Sequence, residues 1–441
     1  MILSISSASI QSIKNPVFRS YASKYLDIYK DFMSQIGQFG LEIETVDSGQ
    51  HALERMDQLA HKGALVRNDQ KSVIVNSISP SCEACRTGES SATFFISLRC
   101  HRNCFYCFNP NQEDYDFYLH HQRRLVDELH QIANRGGQLE HIALTGGEPL
   151  LHKAETIRFF ETARGLFPNS RMRLYTSGDH LDQATLEALK QSGLDEIRLS
   201  IRMYDLDKGQ RHTYKQLEAS LAYIPSVMVE MPVLPGTFES MKEVLLELDR
   251  IGIEGINLLE FCFPVSSPIE FQQRGYKIKA HPFRVLYNYW YAGGLPIAGS
   301  EEVCLDLVDF ALEENLKLGV HYCSLENKHT GQVYQQNMDK RLSKTACFSQ
   351  KDFFIKTAKV FGDDIRKAKP LLIKGRGVSL NHNSELNYLE FHPIHIPLLK
   401  DMDVEIGITS SVFEQREDGE VMRELAIDLT RPEIFDFSTD I

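Results

Sequence analysis

The sequence predicts an α/β fold in which a partial (β/α)6 barrel of TIM-like type forms the core. Between about residues 93 and 261, short apolar runs alternate with stretches of helical period. This alternation is typical of a parallel sheet with helices outside it, and six units in a row favour a barrel over an open sheet. After about residue 349, strand-like runs separated by polar turns replace the alternation, which predicts a C-terminal, mostly β region.

Each element follows from its period and its flanking turn residues. The predicted core strands are 93–98, 141–145, 172–176, 196–201, 227–232 and 255–260. The helices between them are predicted at 120–134, 154–167, 181–192, 214–223 and 239–251. A further helix at 303–318 and a strand at 319–323 extend the same pattern, while 353–360, 370–374, 390–396 and 404–408 are the predicted C-terminal strands.

Three segments are predicted along the chain. Residues 1–90 form an N-terminal accessory α/β region, 91–325 the core barrel, and 326–441 the C-terminal mixed or β region. The accessory region contains helical patterns and then two short apolar runs, 64–67 and 72–75, that predict a hairpin. A helix followed by a hairpin is typical of a winged-helix recognition module, and a small cap packed against the main domain is the alternative.

Composition limits the class of protein. The 441 residues are 42% hydrophobic and 24% charged, as in ordinary globular proteins. A net charge of −12 argues against general binding to nucleic acid or to an anionic membrane. The sequence has no run of the ~18 apolar residues that a membrane span needs, and its first residues lack the pattern of a signal peptide. We therefore expect a cytoplasmic location.

Cysteines are concentrated in one part of the sequence. Five of the nine lie between residues 82 and 107, which in a reducing compartment favours metal binding over disulfides. Cys100, Cys104 and Cys107 follow the first predicted core strand at spacings of four and three. Three thiolates on one loop suit an iron–sulfur cluster and leave one iron open for chemistry.

The second core strand ends in Gly146, Gly147, Glu148 and Pro149. Two glycines allow the backbone to approach a ligand closely, and Glu148 provides an acceptor for a cation. Because parallel strands end at the same edge of a sheet, this turn should lie beside the cysteine loop.

These two motifs together resemble those of the radical S-adenosylmethionine (SAM) superfamily. The resemblance covers about residues 90–260 and implies the radical SAM type of barrel. It implies a 4Fe-4S cluster on Cys100, Cys104 and Cys107, with SAM chelating the open iron and the Gly-Gly-Glu-Pro turn holding the SAM amino group. Reduction by an electron donor such as flavodoxin or ferredoxin would then cleave SAM to methionine and a 5′-deoxyadenosyl radical, which abstracts hydrogen from a substrate.

Other positions match the same family. Tyr106 occupies the aromatic position before the last cysteine and is expected to pack near the adenine. Thr176 lies in a turn resembling the family's Thr-Asn-Gly, and Ser200 and Arg202 follow the fourth strand, where related enzymes use polar side chains on SAM. Polar strand ends that face solvent are the alternative. His101 and Arg102 are predicted to tune the exposure of the cluster or to face solvent.

The remaining cysteines predict a second metal site. Cys82 and Cys85 form a two-cysteine pair that needs two more ligands. Cys323 and Cys347 are the candidates, and the metal is a second 4Fe-4S cluster or zinc. Cys262 is a ligand, a substrate-facing thiol or a buried thiol, and Cys304 is predicted to lie in the core.

The substrate stays open between a peptide or protein and a small molecule. A non-catalytic iron–sulfur protein for sensing or electron transfer is the alternative from another class. An RNA-modifying enzyme is disfavoured by the acidic composition. The aromatic stretch 286–294 is predicted to be core or the floor of a substrate pocket.

Overall fold

A computed structural model describes residues 1–203, 207–287, 293–417 and 419–441. Most of the aromatic stretch 286–294 therefore lies outside the described residues. The contacts divide the chain into two compact units. One consists of Met1–Gln38, Phe283–Asn288 and Gln332–Ile441, and the other of Phe39–Pro282 and Tyr289–Gly331. The boundaries of these units differ from those of the three predicted segments, which remain a prediction.

The strands of the described residues are numbered in chain order. They are β1 (Leu65–Arg67), β2 (Ser72–Val75), β3 (Ser91–Phe95), β4 (His141–Thr145), β5 (Arg171–Thr176), β6 (Glu196–Leu199), β7 (Ser226–Val233), β8 (Gly255–Glu260), β9 (Cys262–Phe263), β10 (Leu295–Pro296), β11 (Gly319–Cys323), β12 (Ala346–Phe348), β13 (Ile355–Phe361), β14 (Leu380–Asn383), β15 (Tyr388–Phe391), β16 (Ile406–Arg416) and β17 (Gly419–Thr430).

The α-helices are α1 (Pro16–Gly37), α2 (Gly49–Lys62), α3 (Pro80–Ala84), α4 (Tyr115–Tyr118), α5 (Leu125–Asn134), α6 (Lys153–Leu166), α7 (Gln183–Gln191), α8 (Asp207–Ser220), α9 (Phe238–Ile251), α10 (Pro268–Gln273), α11 (Ser300–Glu313), α12 (Leu325–Asn337), α13 (Asp364–Lys374) and α14 (Phe437–Asp440). Short 3-10 turns occur at Ile10–Ser12, Asn109–Asn111, Pro149–His152 and Pro393–Leu399. Among the described residues, no helix has the length and apolar character that crossing a membrane requires.

The larger unit is built on one mixed sheet. Among the described residues its strand order is β1-β2-β11-β8-β7-β6-β5-β4-β3. Strands β3 to β8 are parallel neighbours, and β11 adds to β8 in the same direction. The predicted mainly parallel α/β core is confirmed, and the predicted strand at 319–323 is its seventh parallel member.

The N-terminal hairpin pairs with the edge of this sheet, which neither the winged-helix interpretation nor the cap interpretation specified. Strand β2 pairs antiparallel with β11, and β1 pairs with β2. All four residues of β2 are buried, and a strand that is apolar on both faces is stable only when it is covered within a sheet. Helix α2 packs Met56 and Leu59 into the same core.

The second unit contains an antiparallel sheet in the order β14-β15-β13-β16-β17, with β12 also on β13. This confirms the predicted β-rich C-terminal region. The strand predicted at 370–374 was wrong, because these residues end helix α13. Ile365, Ala368 and Leu372 recur at helical spacing and are buried, and this period determines the element although Pro370 removes one backbone donor. The strand predicted at 390–396 ends at Phe391 and continues as a 3-10 turn.

The parallel strands set the position of the candidate site. Strands β3, β4, β5 and β6 are neighbours in register. Parallel neighbours end at the same edge of the sheet, where functional groups of such folds gather. The segments that follow Phe95, Thr145, Thr176 and Leu199 therefore leave the sheet side by side.

Candidate active site

The cysteine loop follows β3 and presents three free thiols. Cys100 is exposed, and Cys104 and Cys107 are half-buried. The backbone N–H of Arg102 donates to Cys100 Sγ at 3.4 Å. Burial raises the pKa of the Cys107 thiol, and the nearby Cys104 and Cys100 raise it further. The raised pKa favours the protonated Cys107 thiol in the metal-free chain, whereas binding to iron favours the thiolate form.

The three thiols provide the soft donors that an iron–sulfur cluster takes. Within the residues that the structure describes, no three His, Cys, Asp or Glu side chains are arranged to hold one metal ion. A 4Fe-4S cluster binds its cysteines through different irons, so they need not converge on one atom. The soft donor set on one loop, together with an N–H aimed at Cys100 Sγ, fits such a cluster.

The Gly-Gly-Glu turn is hydrogen-bonded to the chain that leads into the cysteine loop. Gly147 N–H donates to Ser97 O at 3.1 Å, and Glu148 N–H donates to Arg99 O at 2.9 Å. A Cβ at position 147 would lie 2.0 Å from Arg99 O. Gly146 has a φ of +112°, and a Cβ there would lie 2.7 Å from Ser97 O. Glycine is therefore required at both positions for this approach.

The Glu148 carboxylate is buried and accepts hydrogen bonds from the residues at the end of β5. Its side chain accepts the Thr176 hydroxyl proton at 2.7 Å, Ser177 N–H at 2.7 Å and Leu150 N–H at 3.1 Å. The residue is 2% exposed. The Thr176 hydroxyl also accepts Gly178 N–H at 3.1 Å. In this structure Thr176 thus positions Glu148, and its direct contact with SAM remains a prediction.

We expect Thr176→Val to weaken this link. Valine keeps the shape of threonine but leaves Glu148 with one donor fewer, which should lower the free energy of unfolding by about 1–2 kcal/mol. Urea unfolding and a SAM titration measure both effects. Thr162→Val is the matched control, because its hydroxyl bonds only to the backbone of its own helix. Equal behaviour of the two variants would contradict the role of Thr176.

The other predicted SAM contacts lie around the same edge. Tyr106 is half-buried, and its ring packs edge-on against Phe261 with the centroids 5.6 Å apart. Ser200 directly follows β6, and its carbonyl accepts an N–H of Arg102 at 3.4 Å. Arg202 is half-buried two residues further on. The contacts of these three residues with SAM remain predictions.

His101 is exposed, in line with one of the two predicted alternatives, whereas the Arg102 side chain is almost fully covered. Both side chains bond to Asp179, a residue that the sequence did not single out. Partial burial disfavours the Asp179 carboxylate, but hydrogen bonds from Arg102 and His101 outweigh it and hold its pKa well below the usual range. Asp179 comes 77 residues after Arg102, so only the parallel sheet brings them together.

Three of the auxiliary cysteines lie in the barrel unit. Cys82 Sγ accepts N–H groups of Arg198 and Asn257, each at 3.2 Å. Cys85 is exposed and lies within electrostatic range of Cys82. Cys323 is buried at the end of β11 and accepts Asn327 Nδ2–H at 3.2 Å. Burial raises the pKa of the Cys323 thiol to about 12.

The fourth proposed ligand, Cys347, belongs to the other unit. Its thiol donates to Lys356 O at 3.7 Å, and burial raises its pKa to about 12. The four-cysteine set therefore remains a prediction. Cys262 is half-buried, and burial raises its pKa to about 11. Cys304 is buried in the core, as predicted.

A buried ion pair stabilises the barrel interior below the site. Glu196 accepts Arg198 Nε–H at 2.6 Å and the Ser79 hydroxyl proton at 2.6 Å. Burial alone would raise the pKa of Glu196, but Arg198, Arg173 and Ser79 lower it to about 2.

The lowered pKa of Glu196 predicts that the free energy of unfolding falls in acid. Glu196 titrates near its ordinary value of 4.5 when unfolded and near 2 when folded. Its contribution, about 3 kcal/mol, is complete above the unfolded pKa and is lost as pH falls from 4.5 to 2. We expect Glu196→Gln to remove this loss from urea unfolding measured between pH 7 and 3. The exposed Glu187→Gln is the control, and equal acid slopes for the two variants would contradict the prediction.

The fold and this site define an α/β barrel protein with a loop of soft metal ligands at the carboxyl edge of its sheet. Residues 94–249 match the model of the radical SAM superfamily. These residues are about a third of the chain, and the match confirms the resemblance to this superfamily that the two motifs predict. Proteins of this superfamily use a 4Fe-4S cluster and SAM, so the match implies both cofactors.

The curated relatives are named for several different activities. A Methanocaldococcus jannaschii protein named as a glycyl-radical enzyme activating enzyme is 26% identical over 55% of this chain and 62% of its own length. A Methanocella arvoryzae protein named as a GTP 3′,8-cyclase is 30% identical over 39% of this chain and 58% of its own. A PqqA peptide cyclase of Granulibacter bethesdensis is 30% identical over 26% and 30%. The matches thus span about three-fifths of the first two relatives.

Proposed function

We propose that the protein is a radical SAM enzyme that acts on an unidentified substrate. Cys100, Cys104 and Cys107 would hold a 4Fe-4S cluster, which would supply the electron for cleavage of SAM to methionine and a 5′-deoxyadenosyl radical that abstracts hydrogen from the substrate. A low-potential donor such as flavodoxin or ferredoxin supplies the electron. The observation that supports this most is the approach of Gly147 to Arg99 O, which sets the turn against the start of the cysteine loop.

The residues of this chain would bind and orient the cluster and SAM. Cys100, Cys104 and Cys107 would hold the cluster, and the close approach of Gly146 and Gly147 to Ser97 and Arg99 sets the turn beside the cysteine loop, where it would hold the SAM amino group. Glu148, fixed by Thr176 and Ser177, accepts an N–H bond of that amino group through its remaining lone pairs. Tyr106 offers an aromatic face to the adenine, and Ser200 and Arg202 bond to the ribose or carboxylate.

A polypeptide is the substrate class that we favour. One relative is named for activating another enzyme and another for cyclising a peptide. The hairpin at residues 65–75 no longer supports this choice, because it belongs to the main sheet. A small molecule is the second candidate, as the relative named for GTP suggests.

An auxiliary centre on Cys82, Cys85 and Cys323, with Cys347 as the fourth ligand, is part of the proposal. The N–H groups that Arg198, Asn257 and Asn327 direct at the sulfurs support it, since such bonds stabilise thiolates in metal sites. The metal is iron–sulfur or zinc. Free thiols of this kind persist in a reducing cytoplasm, where we place the protein.

Anaerobic reconstitution tests the function. The protein is loaded with iron and sulfide, reduced with dithionite and supplied with SAM, and 5′-deoxyadenosine is measured by chromatography. We expect product from the wild-type protein and none from Cys100→Ala/Cys104→Ala/Cys107→Ala. Equal amounts from both would refute the proposal. A cluster whose EPR spectrum is unchanged by SAM would favour the sensing or electron-transfer alternative.

A further inference from the structure

Arg102 lies in the middle of the cysteine loop and is almost fully covered. Its side chain is 9% exposed. Nε–H donates to Asp179 Oδ2 at 2.7 Å, and Nη2–H donates to Asp179 Oδ1 at 2.7 Å. This is the two-pronged geometry that a guanidinium forms with a carboxylate and that an ammonium cannot reproduce.

The same guanidinium reaches two backbone carbonyls. Nη2–H donates to Ser177 O at 3.3 Å, and Nη1–H donates to Ser200 O at 3.4 Å. Ser177 follows β5 and Ser200 follows β6, whereas Arg102 comes from the loop after β3. Because β4 lies between β3 and β5 in the sheet, the cysteine loop extends past the end of β4.

The end of β4 is the Gly-Gly-Glu turn, and it is connected to the same network. Glu148 accepts Ser177 N–H at 2.7 Å, two residues before Asp179. Asn109, just after the last cysteine, donates from Nδ2 to Gly146 O at 2.7 Å. Hydrogen bonds therefore tie the cysteine loop to the turn from both of its ends.

Histidines complete the surroundings of Asp179. His101 Nε2 lies 2.6 Å from Asp179 Oδ2, and His212 Nε2 lies 3.9 Å from Oδ1. The His180 ring packs edge-on against His101 with the centroids 4.5 Å apart. An ordinary surface ion pair has neither this burial nor this number of partners and contributes little.

We propose that Arg102 and Asp179 form a positioning pair that fixes the cysteine loop over the Gly-Gly-Glu turn before any cluster is bound. The inference rests on the proposed function for its purpose, which is to hold the cluster's open iron against the SAM turn. In the metal-free chain, the guanidinium–carboxylate pair of Arg102 and Asp179 sets the conformation of the cysteine loop.

The first test needs no metal. Hydrogen exchange of residues 98–108 is measured by mass spectrometry in metal-free wild type, Arg102→Lys and Asp179→Asn. Lysine keeps the charge and loses the fork, while asparagine keeps the shape and loses the charge. We expect exchange about tenfold faster in either variant and a less than additive increase in the double variant, because both substitutions remove the same guanidinium–carboxylate pair.

The second test uses protein that has been loaded with the cluster. After reconstitution, we expect the variants to lose iron to a chelator about fivefold faster and to show a smaller SAM-induced change in the EPR spectrum of the reduced cluster. Lys153→Gln is the matched control. It breaks an exposed ion pair with Asp182 whose side chains are 40% and 58% exposed.

The outcomes separate the two proposals. Unchanged exchange in both variants, in protein whose circular dichroism matches wild type, would overturn the positioning pair. Additive effects in the double variant would do the same. A wild-type protein that loads no cluster would refute the proposed function and leave the exchange result to decide the pair by itself.

Discussion

Replacing Gly147 with alanine is expected to abolish tight SAM binding. The new Cβ would lie 2.0 Å from Arg99 O and 2.4 Å from Arg99 C. These are backbone atoms one residue before Cys100, so a side-chain rotation cannot relieve the clash. Either the turn or the start of the cysteine loop must move, and overpacking of this kind lowers the free energy of unfolding by about 1–3 kcal/mol.

SAM affinity should fall together with stability. The turn and the open iron must hold one small ligand together, so a shift of either reduces binding by more than about tenfold. Isothermal titration of SAM into reconstituted protein measures this, with urea unfolding alongside. Gly165→Ala is the control, because a Cβ there meets nothing within 4 Å. Unchanged SAM affinity in Gly147→Ala would contradict the proposed place of SAM.

Replacing Cys82 and Cys85 together with alanine is expected to remove one metal centre and spare the other. If the auxiliary centre is a 4Fe-4S cluster, the reconstituted wild type holds about eight irons and the variant about four. If it is zinc, the variant loses about one zinc and keeps its iron. Metal analysis and labile sulfide distinguish the two.

The catalytic loop lies outside this change, so SAM cleavage to 5′-deoxyadenosine should persist. Cys304→Ala removes a buried thiol from the core and is the matched control for loss of a cysteine as such. Metal content equal to wild type in Cys82→Ala/Cys85→Ala would refute the auxiliary centre. Loss of all iron would instead show that these thiols support the first cluster.

The barrel was predictable because several of its strands, among them β4 and β8, are largely buried on both faces. Such strands are continuous apolar runs of fixed length, and β4 and β8 begin and end at the predicted residues. The hairpin at β1 and β2 was predicted as an element, but its place in the main sheet was not, because pairing with β11 joins residues about 250 positions apart. The hydrophobic period of a sequence predicts local structure, but it contains no information on pairing between distant strands.

The sequence by itself determined the class of this protein. The spacing of Cys100, Cys104 and Cys107 and the turn at Gly146 are local patterns whose chemistry follows from residue type. Only the tertiary structure decided how they are held. Arg102 meets Asp179, and Glu148 meets Thr176, because parallel strands end at the same edge of the sheet, and these contacts have no fixed separation in sequence.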